Sequence, residues 1–306
     1  MLMRLSLTII QELNDPKPEC FSFVTDNLVM VASLAATPLH ANLSIYDLNM
    51  APGDMGICTF LLPQIRDQSS MWNTEVNISG DQSCLWAPPP SLKVPFFTSH
   101  KNKVLGITYT TEEDPYRVSF VFIVPISTIL MHVHAIRTGE SHRDIIPWEE
   151  WGEYGARFLN PGYNPSPTWV RCAYGQEYIL SDTYPSMGFE VVRLYDFNPL
   201  SLKRALLSTG DSGGAAEILT NTTMIETETF AFPVITSLPC QIRTVQLPLH
   251  RSSDPASFYG AVMLTEDALI AVSVSRNLWC SRICFAEYQD REMALSFICS
   301  PSNLLV

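Results

Sequence analysis

The sequence predicts a mainly β fold, and three observations support this prediction. The chain has 306 residues, only 16% of them charged, and it contains 22 prolines. This composition suits many short elements joined by turns. Short segments rich in β-branched and aromatic residues recur between turn-forming residues at fairly even spacing. Regular short strands of this kind are typical of a sandwich, a barrel or a propeller.

The predicted strands follow one another along most of the chain. The first segment, residues 20–31, is divided by a turn at Asp26-Asn27. The other strands are predicted at residues 42–48, 103–110, 116–124, 168–174, 189–197, 226–234, 241–247, 257–264, 268–274 and 278–287. Proline-rich stretches at 87–91 and 160–167 are typical of linkers. We expect one β-rich domain over residues 20–306, after a short N-terminal extension at residues 1–19.

One amphipathic helix is predicted near residues 125–138. Its apolar positions recur at helical spacing, and they are Ile126, Ile129, Leu130, Val133 and Ile136. Pro125 suits the first turn of this helix, and Gly139 suits its C-terminal end. A shorter helix is predicted from Pro199 through residues 200–207, with Asn198 as its cap.

Charge and hydropathy exclude several classes of partner. The net charge is −12, and the 19 Lys and Arg residues are scattered. A nucleic-acid-binding protein usually carries a basic patch or stripe, so we expect neither nucleic acid nor an anionic membrane surface as a partner. No apolar run approaches the roughly 18 residues needed to span a bilayer.

Cysteine usage and the N-terminal sequence predict an intracellular protein. The eight cysteines are spread irregularly over a long chain, whereas disulfide-stapled secreted domains are usually short and rich in cysteine. The apolar stretch at the start runs into Gln11 and Glu12 without a small-residue cleavage site, so we expect no signal peptide. The expected location is the cytoplasm or the nucleus, with reduced thiols.

A Gly-Asp-Ser-Gly-Gly segment at residues 210–214 looks like the nucleophile loop of trypsin-like serine proteases. In that chemistry a serine needs a histidine base oriented by an aspartate. His100, Asp144 and Ser212 occur in the required order, but His100 lacks the sequence context of that family, and Ala215 replaces the expected proline. We expect Ser212 to lie in an exposed loop without a base, and we predict no catalytic residue.

Three further groups suggest metal chemistry at first sight. His132 and His134 form a His-x-His pair, but on a helix they point about 200° apart and cannot share one ion. The thiols of Cys280, Cys284 and Cys299 lack the second close pair of a structural zinc site. The acidic run at residues 112–114 is most simply a solvated turn. We therefore predict no metal and no cofactor.

An aromatic cluster at residues 146–158 is the most distinctive segment. Trp148 and Trp151 lie three residues apart, so on a helical turn they share one side. Gly152 follows directly, and Arg157 comes after it. One interpretation is a recognition surface, because Trp, Tyr and Arg dominate binding hot spots. The other is a buried anchor for the helical segment, which we favour because isolated aromatic stripes usually belong to the core.

Several segments occur in an order that resembles the C-terminal part of mushroom-type fungal F-box proteins. The most specific is Pro147-Trp148-Glu149-Glu150-Trp151-Gly152 with Arg157, which follows Val124-Pro125 and Ser127-Thr128. The weaker matches are Asp26-Asn27-Leu28-Val29, residues 43–48, Phe122-Ile123, Tyr174-Gly175, Tyr195-Asp196-Phe197-Asn198, residues 236–239, residues 262–264 and Leu269-Ile270. The resemblance covers most of residues 20–275. Within it, Pro147, Trp148, Trp151, Gly152, Arg157, Asp196 and Phe197 are family-motif residues that we expect to be structural.

The resemblance implies a β-propeller-like, substrate-binding half that follows an F-box helix bundle. In the family the F-box docks on the adaptor Skp1 of a cullin-RING ubiquitin ligase. The first 20 residues of this chain do not contain the Leu-Pro-rich F-box, and several N-terminal strands of the family's β region are absent. We therefore expect an incomplete propeller, with a Skp1-type adaptor as a partner only if an F-box lies upstream. Because the family acts as an adaptor, the resemblance implies no catalytic residue in this chain.

The sequence therefore predicts a non-catalytic protein-recognition module, whose binding residues and partner it does not identify. The structural alternative is a β-rich scaffold or degenerate remnant without a ligand. The enzyme alternative is a serine hydrolase centred on Ser212, and it ranks last.

Overall fold

The computed structural model describes residues 18–35, 40–51, 54–66, 74–80, 102–113, 116–159, 172–184, 189–207, 217–227, 229–248, 258–265, 268–274, 282–289 and 292–298. The chain divides into two compact units. The first comprises residues 1–79, 83–159 and 220–238, and the second comprises residues 80–82, 160–219 and 239–306. Compactness does not establish independent folding, so the single domain over residues 20–306 stays a prediction.

Strands dominate the described residues, which confirms the predicted mainly β class. The strands are β1 (Pro18–Phe23), β2 (Leu28–Ala35), β3 (His40–Asp47), β4 (Gly56–Leu61), β5 (Glu75–Gly80), β6 (Val104–Glu113), β7 (Tyr116–Pro125), β8 (Ile145–Ile146), β9 (Arg157–Leu159), β10 (Ala173–Tyr174), β11 (Glu177–Tyr184), β12 (Phe189–Asp196), β13 (Glu217–Leu219), β14 (Thr223–Ile225), β15 (Val234–Thr236), β16 (Cys240–Pro248), β17 (Phe258–Leu264), β18 (Ala268–Val274), β19 (Arg282–Gln289) and β20 (Glu292–Ile298). The described helices are α1 (Ile126–Arg137), α2 (Trp148–Gly155) and α3 (Pro199–Leu207).

The first unit contains three sheets. The largest has the strand order β1-β2-β3-β4-β8, with antiparallel pairing from β1 to β4 and β8 parallel to β4. The second sheet has the order β5-β6-β7-β9, and the third is the hairpin of β14 and β15. The predicted turn at Asp26-Asn27 is confirmed, because the N–H of Val24 donates to the carbonyl of Leu28 at 2.9 Å and closes the hairpin of β1 and β2.

A hydrophobic core joins these sheets to two of the helices. Alternate residues of the strands face it, as the period-two pattern of a half-buried strand requires. Fully buried members include Met30, Leu43, Ile45, Phe60, Ile107, Phe122 and Ile129. Trp148 and Trp151 of α2 belong to the same cluster. The core therefore fixes α1 and α2 against strands that are distant from them in sequence.

The second unit contains two sheets. One has the order β10-β11-β12-β16-β13, and each neighbouring pair of these strands is antiparallel. The other is a meander of four successive antiparallel strands, β17-β18-β19-β20. Among the described strands no sheet of either unit closes on itself.

Both predicted helices are present, and α1 is the longest helix that the structure describes. Pro125 precedes α1 in an extended conformation, and Gly139 beyond its end has a φ of +76°, the left-handed conformation typical of a helix stop. The cap of α3 is confirmed as well, because Asn198 Oδ1 accepts a hydrogen bond from the N–H of Leu200 at 2.9 Å.

Two local predictions are wrong. A continuous strand at 226–234 is absent from the described part of that segment, where β14 ends at Ile225 and β15 begins at Val234. Phe230 instead forms an isolated bridge with Ile65 and turns into the core, and Pro233 has no N–H to donate to a ladder. Glu112 and Glu113 are not in a turn, because they extend β6 and pair with Arg117 and Tyr116 of β7.

Candidate recognition surface

The two tryptophans of α2 are buried and contact each other. Trp148 is 7% exposed and Trp151 is 2% exposed. Trp148 meets Phe122 of β7 edge to face at 5.2 Å between ring centroids, and Trp151 meets Phe60 of β4 at 5.3 Å. The indole N–H of Trp151 donates to the carbonyl of Leu61 at 3.1 Å. This pair therefore anchors α2 to strands of two sheets.

Two glycines of α2 allow this close packing. A Cβ added at Gly152 would overlap the six-membered ring of Trp148, which lies one turn earlier on the same side. A Cβ added at Gly155 would overlap the methyl group of Thr128 in α1. Pro147 precedes the helix in an extended conformation, which suits an N-cap position. The Pro-Trp-x-x-Trp-Gly motif thus serves the packing of α2.

Asp196 and Phe197, the motif residues of the second unit, are also buried. Asp196 Oδ1 accepts a hydrogen bond from the N–H of Asn198 at 2.8 Å, which turns the chain from β12 into α3. The N–H of Phe197 donates to the carbonyl of Gln176 at 3.0 Å. Both residues shape the junction of strand and helix.

An ionic cluster lies beside this junction. Arg243 Nη2 is 3.4 Å from Glu177 Oε1 and 3.6 Å from Asp196 Oδ2. Glu177 and Asp196 are directly paired across β11 and β12. Burial, and secondarily the charge of Asp196, raise the pKa of Glu177 to about 7, although Arg243 acts in the opposite direction. No local pattern predicts this cluster, because its members are far apart in the chain.

The outer side of α2 presents a different kind of side chain. Tyr154 follows Trp148 by six residues, which places it about 120° around the helix from that ring, and it is 74% exposed. Met224 of β14 and Phe232, between β14 and β15, are 59% and 66% exposed. We call these three residues the recognition surface. Helical spacing could not have identified Tyr154 as exposed, because it follows Trp151 by three residues, as Trp151 follows Trp148. The wrong strand at 226–234 concealed Phe232.

The hairpin that carries Met224 and Phe232 is bonded to α2. Ser237, directly after β15, donates from its N–H and its hydroxyl to the carbonyl of Glu153, at 2.7 and 2.8 Å. The N–H of Leu238 donates to the carbonyl of Ala156 at 3.2 Å. These bonds satisfy carbonyls that a helix end leaves without an internal partner. Helix and hairpin therefore present their exposed side chains from connected elements.

The histidines of α1 have different environments. His132 meets Phe60 edge to face at 5.6 Å, and its Nε2 atom is buried without a hydrogen-bond partner. Burial lowers the pKa of His132, although the charge of Glu150 raises it. His134 is exposed. No group of three or more His, Cys, Asp and Glu side chains in the described ranges is arranged to hold a metal ion.

Several candidate residues fall outside the described ranges. These are His100, Ser212, Cys280 and Cys299, and the side chain of Cys284 in β19 is also not described. Of the proposed serine triad only Asp144 is described, and its carbonyl accepts a hydrogen bond from the N–H of Thr59 at 2.7 Å. Cys58, Cys172 and Cys240 are buried. Burial is the main cause that raises the pKa of Cys58 to about 12, so its thiol is a poor nucleophile.

Comparison with known proteins provides no further assignment. No protein-family model matches the chain. No curated protein matches it significantly. In the described part of the chain, no helix is both long enough and apolar enough to cross a bilayer.

Proposed function

We propose that this chain is a non-catalytic protein-recognition module, comparable to the substrate-binding part of an F-box ubiquitin-ligase adaptor. The proposed fold is an open, propeller-like arrangement of blades. A propeller blade is a four-stranded antiparallel sheet. The meanders β1-β2-β3-β4 and β17-β18-β19-β20 support this proposal, because in each the strands are adjacent in the order of the sequence.

One observation carries the functional proposal: Tyr154, Met224 and Phe232 remain largely exposed on elements that are bonded to each other. Tyrosine, phenylalanine and methionine are enriched in protein interfaces, and the rigid aromatic rings bury large areas there at small cost in side-chain entropy. The motif residues Trp148 and Trp151, in contrast, are buried in the core and do not face a partner. A partner that covers the recognition surface would bury apolar area that is now in contact with water.

The experiment compares two pairs of substitutions in the tagged protein, purified from its native host. One variant carries Tyr154→Ala and Phe232→Ala. The matched control carries Leu200→Ala and Leu207→Ala, which remove exposed side chains of α3 in the second unit. Exposed substitutions change stability by less than about 0.5 kcal/mol, so both variants should melt like the wild type.

Mass spectrometry of the co-purified proteins should show partners that the Tyr154/Phe232 variant loses and the control retains. Hot-spot truncation costs about 2 kcal/mol or more per residue, which weakens binding roughly 30-fold. If the Tyr154/Phe232 variant retains every partner of the wild type, the recognition surface is not a binding site. If neither variant nor wild type enriches any protein, the scaffold alternative replaces the proposal.

The ligase role has a separate test. A Skp1-type adaptor and a cullin should co-purify with the product of the complete gene if an F-box is encoded upstream. If other partners are enriched but these two proteins are not, the recognition proposal stands and the ubiquitin-ligase role is rejected. Imaging of the same tagged protein checks the expected cytoplasmic or nuclear location.

A further inference from the structure

Arg157 is a buried cation in the first unit. Its side chain belongs to β9, at the end of the sheet order β5-β6-β7-β9, and the residue is only 1% exposed. Across the ladder it is paired with Ile123 of β7, which is fully buried. A guanidinium keeps its charge in proteins, so burial cannot be relieved by loss of a proton. The buried charge therefore requires partners.

The hydrogen bonds of this guanidinium leave the Nε and Nη2 edge without an acceptor among the described residues. Nη1 donates to the backbone carbonyl of Asn221 at 2.9 Å. Nε is buried and has no hydrogen-bond partner. Nη2 makes no hydrogen bond to the described residues. Nε–H and the outer Nη2–H are parallel donors, and this edge binds carboxylate or phosphate in a bidentate fashion.

No carboxylate among the described residues pairs with this charge. The chain contains 31 acidic residues against 19 basic ones, yet Arg157 forms no ion pair with any residue that the structure describes. Arg137, Arg143 and Arg243 each pair with a carboxylate. Buried charges in proteins are paired or bound to counterions, because an isolated charge loses its hydration without compensation. A buried arginine without a carboxylate partner among the described residues therefore favours a counterion from outside the chain.

We propose that Arg157 is the ligand-binding residue of an oxyanion site, which takes a carboxylate or phosphate group on its Nε and Nη2 edge. The carbonyl of Asn221 occupies Nη1 and fixes the plane of the guanidinium. Residues 220–222, which include this bonding partner, are all exposed, so the guanidinium is bonded to a segment that contacts solvent. This site goes beyond the recognition proposal and does not depend on it.

Equilibrium dialysis of the whole chain with radiolabelled inorganic phosphate or acetate tests the site directly. We use Tris chloride buffer, because many other buffers carry oxyanions of their own. At least one of the two anions should bind saturably with one site per chain, and excess chloride should not displace it. Phosphate binding alone identifies a phosphate site, and acetate binding alone identifies a carboxylate site. Absence of saturable binding by both anions would overturn the proposal.

Variants assign the binding to the residue. Arg157→Met keeps the aliphatic stem without charge and should abolish binding. Arg157→Lys keeps the charge but not the paired donors, and it should weaken binding about tenfold or more. The control Arg143→Met removes an exposed arginine and should bind like the wild type. Wild-type affinity in Arg157→Lys or Arg157→Met would show that the anion binds elsewhere.

Thermal unfolding supplies a second readout. Above the dissociation constant, each tenfold increase in the concentration of the anion that binds should raise the melting temperature of the wild type by about the same amount. Phosphate also stabilises proteins without binding to a site, since it is excluded from their surface. A rise of equal size in Arg157→Lys and in the wild type would therefore contradict the proposal.

Discussion

The indole rings of Trp148 and Trp151 lie 4.9 Å apart between centroids and are inclined by 73° to each other. This edge-to-face arrangement places the positive edge of one ring on the negative face of the other. Phe122 of β7 contacts Trp148, and Phe60 of β4 contacts Trp151. The pair therefore couples α2 to two sheets, and the predictions about stability begin here.

Trp151→Ala should destabilise the first unit by about 3–5 kcal/mol, because it removes a large buried ring and leaves a cavity. It also leaves the carbonyl of Leu61 without its donor. Denaturant unfolding followed by circular dichroism measures the change. Tyr154→Ala, on the exposed side of the same helix, should change the free energy of unfolding by less than about 0.5 kcal/mol. Equal losses in the two variants would contradict the assignment of buried and exposed sides.

Gly152→Ala should destabilise the protein, although alanine is the better helix former by about 1 kcal/mol. The added methyl group would overlap the Trp148 ring, which is already packed against Phe122 and Trp151. Overpacking of this kind costs about 1–3 kcal/mol. Glu149→Ala, at an exposed position of α2, is the matched control and should be nearly neutral. A melting temperature of Gly152→Ala above that of the wild type would show that the ring can move aside.

Glu177→Gln should remove part of the dependence of stability on pH. The pKa of Glu177 is raised from 4.5 to about 7, chiefly by burial and then by Asp196, so the folded state binds this proton more tightly than the unfolded state. The free energy of unfolding therefore falls as pH rises from about 4.5 to 7. Glutamine has no charge to bury, so the variant should gain on the order of 1–3 kcal/mol over the wild type at pH 8.

Urea unfolding of both proteins at several pH values between 4.5 and 8 measures this difference. The comparison cancels the titration of the other carboxylates, which the two proteins share. A difference between the two proteins that stays constant with pH would contradict the raised pKa of Glu177.

Arg137→Met should cost more stability than Arg143→Met. Arg137 pairs with Asp47, whose side chain is only 10% exposed, and loss of the cation leaves a largely buried carboxylate. That loss should cost about 1–3 kcal/mol. Arg143 pairs with Glu150 at an exposed site, and such pairs contribute about 0–1 kcal/mol. Thermal unfolding at low and high salt distinguishes them, because only the exposed pair is strongly screened.

Local patterns along the chain were sufficient to predict several elements. The turn at Asp26-Asn27, helix α1 with its stop at Gly139, and the Asn198 cap of α3 depend on residues within one or two turns of each other. Most predicted strands also overlap observed ones. The strands β4, β5, β11 and β20 were missed, because Gly, Asn, Ser and Asp within or beside them weaken the local strand signal.

Long-range packing determined the environment of each candidate residue. Sequence spacing placed Trp148 and Trp151 on one side of a helical turn, but only the strands that carry Phe60 and Phe122 determined that this side is buried. Glu177, Asp196 and Arg243 meet because β11, β12 and β16 are neighbours in one sheet. The hydrogen-bond partners of Arg157 are residues that pack beside β9 but are distant from it in sequence, so no local pattern predicts which of its donors stay unpaired. The sequence by itself determined the elements with local causes, and the tertiary structure decided burial, ion pairing and exposure, because these depend on residues distant in the chain.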